Sequence, residues 1–281
     1  MSRAKFALAS LGAGVAWIAV LSLILPIEPT NPNSVAGFLL DKTCATVRNN
    51  PDCLALIGSG RRVVESFFVY PFTIQVLMWL IFFVGLGELA FRWKEARVAR
   101  RSLSGPYFSL EADAIIQPDD AAVYWRDTRD AAKEEAAFLP RLVHALAGQF
   151  QTSRSINQTN TLLNSLLDLM SHAIDVKYSV IRFIVWMLPT LGFIGTVYGL
   201  MIALGVVGGV DPDEFTSQAV NLFPAMIEGL SVAFTTTLLG LLQSAVIVTV
   251  MHFVQEREER ALNDAGQSVI ERFISKLYVK G

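Results

Sequence analysis

The sequence predicts an all-α integral membrane protein with four transmembrane helices, cytoplasmic N and C termini, and long helices that extend into the cytoplasm. Of its 281 residues, 53% are hydrophobic and only 17% are charged, whereas about a quarter of the residues of a soluble domain are charged. Apolar runs of bilayer-spanning length lie at roughly 6–27, 69–91, 181–210 and 226–254, and about 20 residues suffice for one crossing.

These runs divide the chain into segments. We expect a first transmembrane helix at 1–27, a periplasmic loop at 28–68, a second transmembrane helix at 69–91, a cytoplasmic helical region at 92–179, a core of two transmembrane helices at 180–254 with a short periplasmic loop at 211–223, and a C-terminal cytoplasmic helix at 255–281. A signal peptide is the alternative for the first run. Its apolar part exceeds the usual h-region of about 7–15 residues and lacks an A-x-A-like cleavage site, so we expect a retained helix.

The orientation follows from the basic residues beside the spans, which cluster on the cytoplasmic side of membrane proteins. Basic residues precede the first run (Arg3 and Lys5) and the third run (Lys177 and Arg182). They follow the second run (Arg92, Lys94, Arg97, Arg100 and Arg101) and the fourth run (Arg257 and Arg260). The segment 211–223 has three acidic residues and no basic residue. Both termini are therefore expected inside the cell.

The two cysteines, Cys44 and Cys53, fall in the first external loop. A periplasmic location would be oxidising, and the intervening turn-prone Asn49, Asn50 and Pro51 suit a small closed loop. We expect a disulfide. Two unpaired buried thiols are the alternative, and a metal site is disfavoured because no histidine accompanies the pair.

The polar segments are expected to be helical. Apolar residues recur at three-to-four-residue steps from about Ser155, and no Pro or Gly intervenes before Pro189, so one long helix should rise into the third crossing. In the tail, Ile270, Phe273, Ile274 and Leu277 should share one face. Such stripes usually do no more than pack as a core; a cytoplasmic oligomerisation bundle is the functional alternative.

No catalytic constellation is visible in the sequence. The three histidines, His144, His172 and His252, lie far apart and lack the spacing of metal ligands. There is no Gly-rich phosphate loop or nucleophile motif, and no basic patch interleaved with aromatic residues that would bind nucleic acid. We therefore expect a protein that is not an enzyme and that has no cofactor, no metal and no nucleic-acid partner.

The two central spans contain no Asp, Glu, Lys, Arg or His between residues 183 and 210 or between 229 and 251. Small residues instead recur at helical spacing and let helix backbones approach closely. In the third span these are Gly192, Gly195, Gly199 and Ala203, and in the fourth Gly229, Ala233, Gly240 and Ser244. We expect these faces to be too extensive to bury within one subunit, which predicts a ring of about five copies.

Polar features accompany the small residues. Pro189 cannot donate a backbone hydrogen bond, so the carbonyl group of Val185 must find another partner. The consecutive residues Thr235, Thr236 and Thr237 point about 100° apart, so at least one hydroxyl group must face away from lipid. The simpler alternative is that each threonine only bonds the carbonyl group four residues earlier in its own helix.

The segments LPTLGFIGTVYGLM and GLSVAFTTTLLGL resemble the third and fourth transmembrane helices of the MotA/TolQ/ExbB proton-channel family, the ion-driven stator subunits of bacterial inner membranes. The resemblance covers about residues 184–247. It implies that Thr196 and Thr237 line the ion path and that Pro189 is the functional proline of the stator branch. We also place Thr236 with the candidate lumen residues.

The resemblance further implies partners. Proton relays need a titratable group at membrane depth, and the middle of each span lacks one, so the acid should come from another chain. In the family, a dimer of a single-span MotB/TolR/ExbD-like subunit supplies an ion-binding Asp and is surrounded by a homopentamer of the channel subunit. The competing hypothesis is a non-conducting oligomeric membrane scaffold. The choice between H⁺ and Na⁺ and the process driven stay open.

Overall fold

The computed structural model describes residues 3–24, 72–105, 107, 115–208 and 215–278. Within them the chain forms seven α-helices and two short 3₁₀ turns: α1 (Arg3–Ile24), α2 (Ile74–Ser102), α3 (Ala121–Asp127), a 3₁₀ turn (Ala131–Lys133), α4 (Phe138–Ser153), α5 (Ile156–Lys177), α6 (Ser179–Gly208), α7 (Phe215–Arg272) and a second 3₁₀ turn (Ile274–Lys276). Among the described residues, β-type pairing is limited to an isolated bridge between Ile116 and Leu277. The predicted all-α class is confirmed.

Three helical stretches of the described chain are long and apolar enough to cross a membrane: Ile74–Ser102, Ile156–Gly205 and Gly229–Lys276. The first predicted span is represented by the shorter apolar helix Leu8–Ile24. The molecule is thus a helical protein with three candidate membrane spans, and the fourth span and the orientation of the termini remain predictions. Cys44 and Cys53 and their predicted disulfide lie outside the described residues.

The chain divides into two compact units. The first unit contains Met1–Glu88 and Ile181–Thr249, and the second contains Leu89–Val180 and Val250–Gly281. Helices α2, α6 and α7 each continue from one unit into the other. The first unit therefore holds the apolar spans, whereas the second holds the polar helical segments.

In the first unit, α1 packs antiparallel to α2 through small residues. A Cβ atom on Gly14 would meet the Cβ of Phe83 at 3.0 Å, and one turn away Gly87 lies against Ser10. The indole rings of Trp17 and Trp79 lie 6.1 Å apart. Small residues let the two helices approach where helix association depends on close packing.

In the second unit, the apolar face of α4 forms the core, with Leu139, Leu142, Val143, Leu146 and Phe150 all fully buried. The link to α5 is tight: Arg154 has a positive φ of 48°, and the hydroxyl group of Ser155 accepts a hydrogen bond from the Gln158 backbone nitrogen at 3.4 Å. This is an N-cap, which satisfies one of the free donors at the start of a helix.

The predicted continuous helix from about Ser155 into the third crossing is present with one interruption. Helix α5 ends at Lys177, Tyr178 adopts a turn, and α6 begins at Ser179. Helix α6 passes through Pro189 without ending.

Two predictions about the last helix are wrong in detail. Helix α7 begins at Phe215, so most of the predicted loop 211–223 is helical. In the tail, Phe273 and Leu277 are buried as expected, but Ile270 is 49% exposed. The buried stripe instead runs through Ala265 and Val269, and Ile270 lies about 100° from Val269 around the helix.

Candidate ion path

The hydroxyl groups of Thr196 on α6 and Thr237 on α7 contact each other directly. Both also reach the same two backbone carbonyl groups. The Oγ1 of Thr196 lies 3.2 Å from the carbonyl oxygens of Gly192 and Ala233, and the Oγ1 of Thr237 lies 3.1 Å and 3.2 Å from these oxygens. The two threonines that the family resemblance indicated are thus brought together, and both are half-buried.

We call these four oxygen atoms the threonine cluster: the hydroxyl oxygens of Thr196 and Thr237 and the carbonyl oxygens of Gly192 and Ala233. A carbonyl oxygen only accepts and each hydroxyl group donates once. Besides Thr196 and Thr237, the hydroxyl group of Thr236 lies 3.3 Å from the carbonyl oxygen of Gly192 and 3.0 Å from that of Ala233, so three hydroxyl protons face four oxygens that have two lone pairs each. The cluster therefore keeps spare acceptor capacity. It can accept a hydrogen bond from a protonated acid or help to coordinate a cation.

The predicted packing glycines make this geometry possible. A Cβ atom on Gly192 would lie 3.0 Å from the carbonyl oxygen of Thr236 and 3.0 Å from the Cα of Thr237. A Cβ atom rarely approaches other atoms this closely, so a side chain here would require the two helix backbones to move apart by a few tenths of an ångström. Gly192 therefore sets the spacing at which the two hydroxyl groups meet.

The other four glycines also lie at close contacts within one chain. A Cβ atom on Gly199 would lie 2.5 Å from the carbonyl oxygen of Gly229, one on Gly240 would lie 2.7 Å from the carbonyl oxygen of Leu188, and Gly195 lies against the side chain of Thr236. Our expectation that these faces need neighbouring subunits for burial is wrong, because α6 and α7 bury them against each other.

The three consecutive threonines of α7 have different surroundings. Thr236 is fully buried, and its hydroxyl group lies 3.0 Å from the carbonyl oxygens of Val232 and Ala233. Thr235 bonds within its own helix, 2.9 Å from the carbonyl oxygen of Ser231. Thr236 is therefore buried in the helix contact, where its hydroxyl group also reaches the two carbonyl oxygens of the threonine cluster, that of Gly192 at 3.3 Å and that of Ala233 at 3.0 Å. Of the three threonines, Thr237 is the one whose hydroxyl group contacts that of Thr196.

The carbonyl group released by Pro189 has a partner that we did not identify from the sequence. The hydroxyl group of Ser244 on α7 donates to the carbonyl oxygen of Val185 at 2.9 Å. We had counted Ser244 only as a small residue. The signal was available: a serine on the small face of the fourth span, opposite a carbonyl group that a proline four residues later leaves unpaired.

Sequence analysis also missed a buried polar pair in the second unit. The hydroxyl group of Tyr178, at the break between α5 and α6, donates to the carboxyl group of Glu258 on α7 at 3.1 Å. Glu258 is 2% exposed. Burial raises the pKa of the Glu258 carboxyl group and that of the Tyr178 hydroxyl group, because loss of hydration disfavours the charged form of each.

Aromatic and basic side chains also meet in this unit. The guanidinium group of Arg257 lies 4.2 Å from the ring centre of Trp93, and that of Arg97 lies 5.5 Å from it. Elsewhere in the unit, the amine of Lys177 lies 2.9 Å from the carboxylate of Glu135, and this hydrogen bond lowers the pKa of Glu135.

The structure thus defines a helical protein with three candidate membrane spans among the described residues, two of which hold a polar cluster between them. Comparison with known families matches residues 131–266 to the MotA/TolQ/ExbB proton channel family. The matched region contains α6 and the threonine cluster, and this match supports membership of the chain in the family. No curated protein and no solved structure matches the chain.

Proposed function

We propose that this chain is the channel-forming subunit of an ion-driven rotary complex in the bacterial inner membrane. In this function it couples ion flow, of protons in our proposal, to mechanical work through a single-span MotB/TolR/ExbD-like partner. The observation that carries the proposal is the threonine cluster between α6 and α7. Its hydroxyl and carbonyl oxygens lie in spans that contain no Asp, Glu, Lys, Arg or His between residues 183 and 210 or between 229 and 251.

The cluster suits a carboxyl group that alternates between its charged and neutral forms. When protonated, the acid donates to one of the spare oxygen lone pairs; when ionised, it accepts from a threonine hydroxyl group, which can turn to donate. A wall with both capacities stabilises each state. Valine at the same positions would stabilise neither.

The titratable group must come from outside these two spans. No Asp, Glu, Lys, Arg or His lies between residues 183 and 210 or between 229 and 251. A proton relay through a membrane requires such a group at depth. A partner Asp beside Thr196 and Thr237 supplies it, and each charge moved gains about 2.3 kcal/mol per 100 mV of membrane potential.

The assembly we propose is a homopentamer of this chain around a dimer of the partner, as in the family. The glycine faces do not support it, because they are buried inside one chain. Contacts between copies must instead use the apolar side chains that α6 leaves exposed, among them Phe193, Val197 and Leu200. Exposed apolar surface of this extent is suited to lipid and to neighbouring helices.

The alternative function is a non-conducting oligomeric scaffold. The fully buried Thr236 and the glycine contacts favour it, since these features pack α6 against α7. The two functions differ in what they require of Thr196 and Thr237: a scaffold needs only their shape, whereas an ion path needs their hydroxyl groups.

The experiment that tests the proposal is purification of the tagged chain from its native membrane in mild detergent. We expect a short single-span protein with an Asp in its span to co-purify at two copies per five of this chain. The Thr196→Val/Thr237→Val chain serves as the matched comparison, and it should retain the partner. Recovery of an oligomer of this chain alone, after cross-linking in intact cells, would favour the scaffold.

A further inference from the structure

Two glutamine side chains are buried within the apolar first unit. Gln75 on α2 is 1% exposed and Gln243 on α7 is 3% exposed. Among the described residues, neither the amide nitrogen nor the amide oxygen of either side chain has a hydrogen-bond partner. Buried polar groups in proteins nearly always have one, from the protein or from an ordered water molecule.

The register between α2 and α7 shows where these amides lie. A Cβ atom on Gly240 of α7 would lie 3.0 Å from the terminal methyl group of Met78, and one on Gly85 of α2 would lie 2.9 Å from the Cδ1 of Ile247. Both steps, from Met78 to Gly85 and from Gly240 to Ile247, are seven residues, so the helices run parallel and in register. By this register Gln75 is level with Thr237, whereas Gln243 is level with Ile81.

The two amides therefore lie on the two sides of Met78. Six residues separate their levels, which corresponds to about 9 Å along the helices. Each glutamine side chain extends several ångströms from its backbone. This separation of levels is one that the two side chains can span together with one or two water molecules, and the amides make no direct hydrogen bond to each other.

Further oxygen atoms lie on α7 beside these levels. Thr236 and Ser244 are buried, and both hydroxyl groups donate to backbone carbonyl groups, that of Thr236 to Val232 and that of Ser244 to Val185. Each hydroxyl oxygen consequently keeps a lone pair as an acceptor. A buried water molecule typically makes about three hydrogen bonds, and two amides with two hydroxyl groups provide enough partners.

We propose that Gln75 and Gln243 bind ordered water between α2 and α7, inside a single subunit. Water fits both amides because it donates and accepts, as they do. A metal cation would use only the amide oxygens and leave the NH₂ groups unsatisfied, and a lipid chain would satisfy neither group. The site lies between α2 and α7, whereas the threonine cluster lies between α6 and α7, and it requires neither a partner chain nor ion flow, so it goes beyond the proposed function.

The test uses the methionine side chains as reporters. Hydroxyl radicals generated by X-ray pulses oxidise residues next to bound water, even where bulk solvent cannot reach. Met78 is 0% exposed, Met251 is 7% exposed and Met170 is 6% exposed. With the full chain in lipid nanodiscs in H₂¹⁸O, we expect mass spectrometry to show faster oxidation of Met78 than of Met251 and Met170, although Met78 is the most buried.

The variants Gln75→Leu and Gln243→Leu should each slow the oxidation of Met78 several-fold without changing that of Met251. Gln267→Leu, at an exposed position of α7, is the matched control and should change neither. Oxidation of Met78 in the unmodified chain at or below the rate of Met251 would overturn the proposal, and this comparison does not depend on any variant folding. Rapid oxidation of Met78 that persists in the double variant would also overturn it.

Discussion

The hydroxyl group of Ser244 donates a hydrogen bond to the carbonyl oxygen of Val185 at 2.9 Å, across the contact between α6 and α7. Pro189 follows Val185 by four residues and has no N–H group, so the serine replaces the missing backbone donor. A side chain of α7 thus satisfies the carbonyl group that the proline of α6 leaves unpaired. The pairing also fixes their relative register at this level, because a shift of one residue would remove it.

We predict that Ser244→Ala destabilises the protein by about 1–3 kcal/mol, the usual cost of leaving a buried acceptor unsatisfied. The effect should depend on the proline. In a Pro189→Ala background the restored N–H group satisfies the carbonyl oxygen of Val185, so Ser244→Ala should then cost much less. Unfolding of the four chains in mixed micelles measures this coupling, and additive effects of the two substitutions would contradict it.

The glycine contacts predict a position-dependent effect of alanine. A Cβ atom at Gly199 would lie 2.5 Å from a backbone oxygen of α7, whereas one at Gly205, six residues later on α6, would meet no side chain or neighbouring helix of the described residues within 4 Å. Gly199→Ala should therefore cost about 1–3 kcal/mol through overpacking. Gly205→Ala should be neutral or stabilising, because alanine favours helices. Thermal unfolding in detergent compares the two, and equal melting temperatures would contradict the observed packing.

The parts of this fold that the sequence predicts well depend on local patterns. Long apolar runs indicate the spans, and the consequence of Pro189 for Val185 follows from covalent chemistry alone. The threonine cluster depends instead on how two helices are oriented against each other. Whether Thr235, Thr236 or Thr237 meets Thr196 depends on the rotation of α7 against α6, and only the family resemblance indicated Thr237.

Other features depend on pairs of residues that are distant in the chain, which periodicity does not reveal. Tyr178 and Glu258 are 80 residues apart. In the sequence, each resembles a usual polar residue at the end of a membrane span. The burial of the small faces was misjudged for the same reason. A stripe of glycines shows that something approaches closely, but not whether it is the next helix of the same chain or a neighbouring subunit.

The threonine cluster predicts unequal effects of the same substitution at three positions. Thr→Val retains shape and removes the hydroxyl group, so Thr196→Val and Thr237→Val should each lower ion-driven output at least tenfold, with assembly unchanged. Thr235→Val should be milder, since that hydroxyl group bonds only within its own helix. This ion-driven activity can be measured as proton uptake by vesicles that contain the chain together with its partner. Equal losses at all three positions, or none, would refute the assignment.

The buried carboxyl group of Glu258 predicts a dependence of stability on pH. Its pKa in the folded protein is raised above 4.5, so the folded state holds a proton that the unfolded state releases. The free energy of unfolding should therefore fall as the pH rises from about 4.5 towards the folded pKa. The hydrogen bond from Tyr178 and the charges of Lys177 and Arg92 oppose this effect, and Glu95 reinforces it.

Glu258→Gln tests this prediction because the amide oxygen still accepts from Tyr178 but does not titrate. The variant should lose less stability than the original chain over the same pH range. Melting temperatures in detergent between pH 4.5 and 8 provide the comparison, with Glu271→Gln at an exposed position of α7 as the control. Parallel pH profiles for the original chain and Glu258→Gln would show that Glu258 does not carry the effect.

The final prediction is that this chain does not conduct ions by itself. The two central spans contain no Asp, Glu, Lys, Arg or His across their middle, and an ion in an apolar passage loses its hydration without compensation. Adding a single-span partner should provide the missing acid. Asp→Asn in that partner should then abolish proton transport while the complex stays intact. Reconstitution in liposomes with an imposed pH gradient and a pH-sensitive dye tests both steps. Dissipation by this chain alone, above that of empty liposomes and removed by Thr237→Val, would place the complete ion path in this subunit and overturn the requirement for a partner.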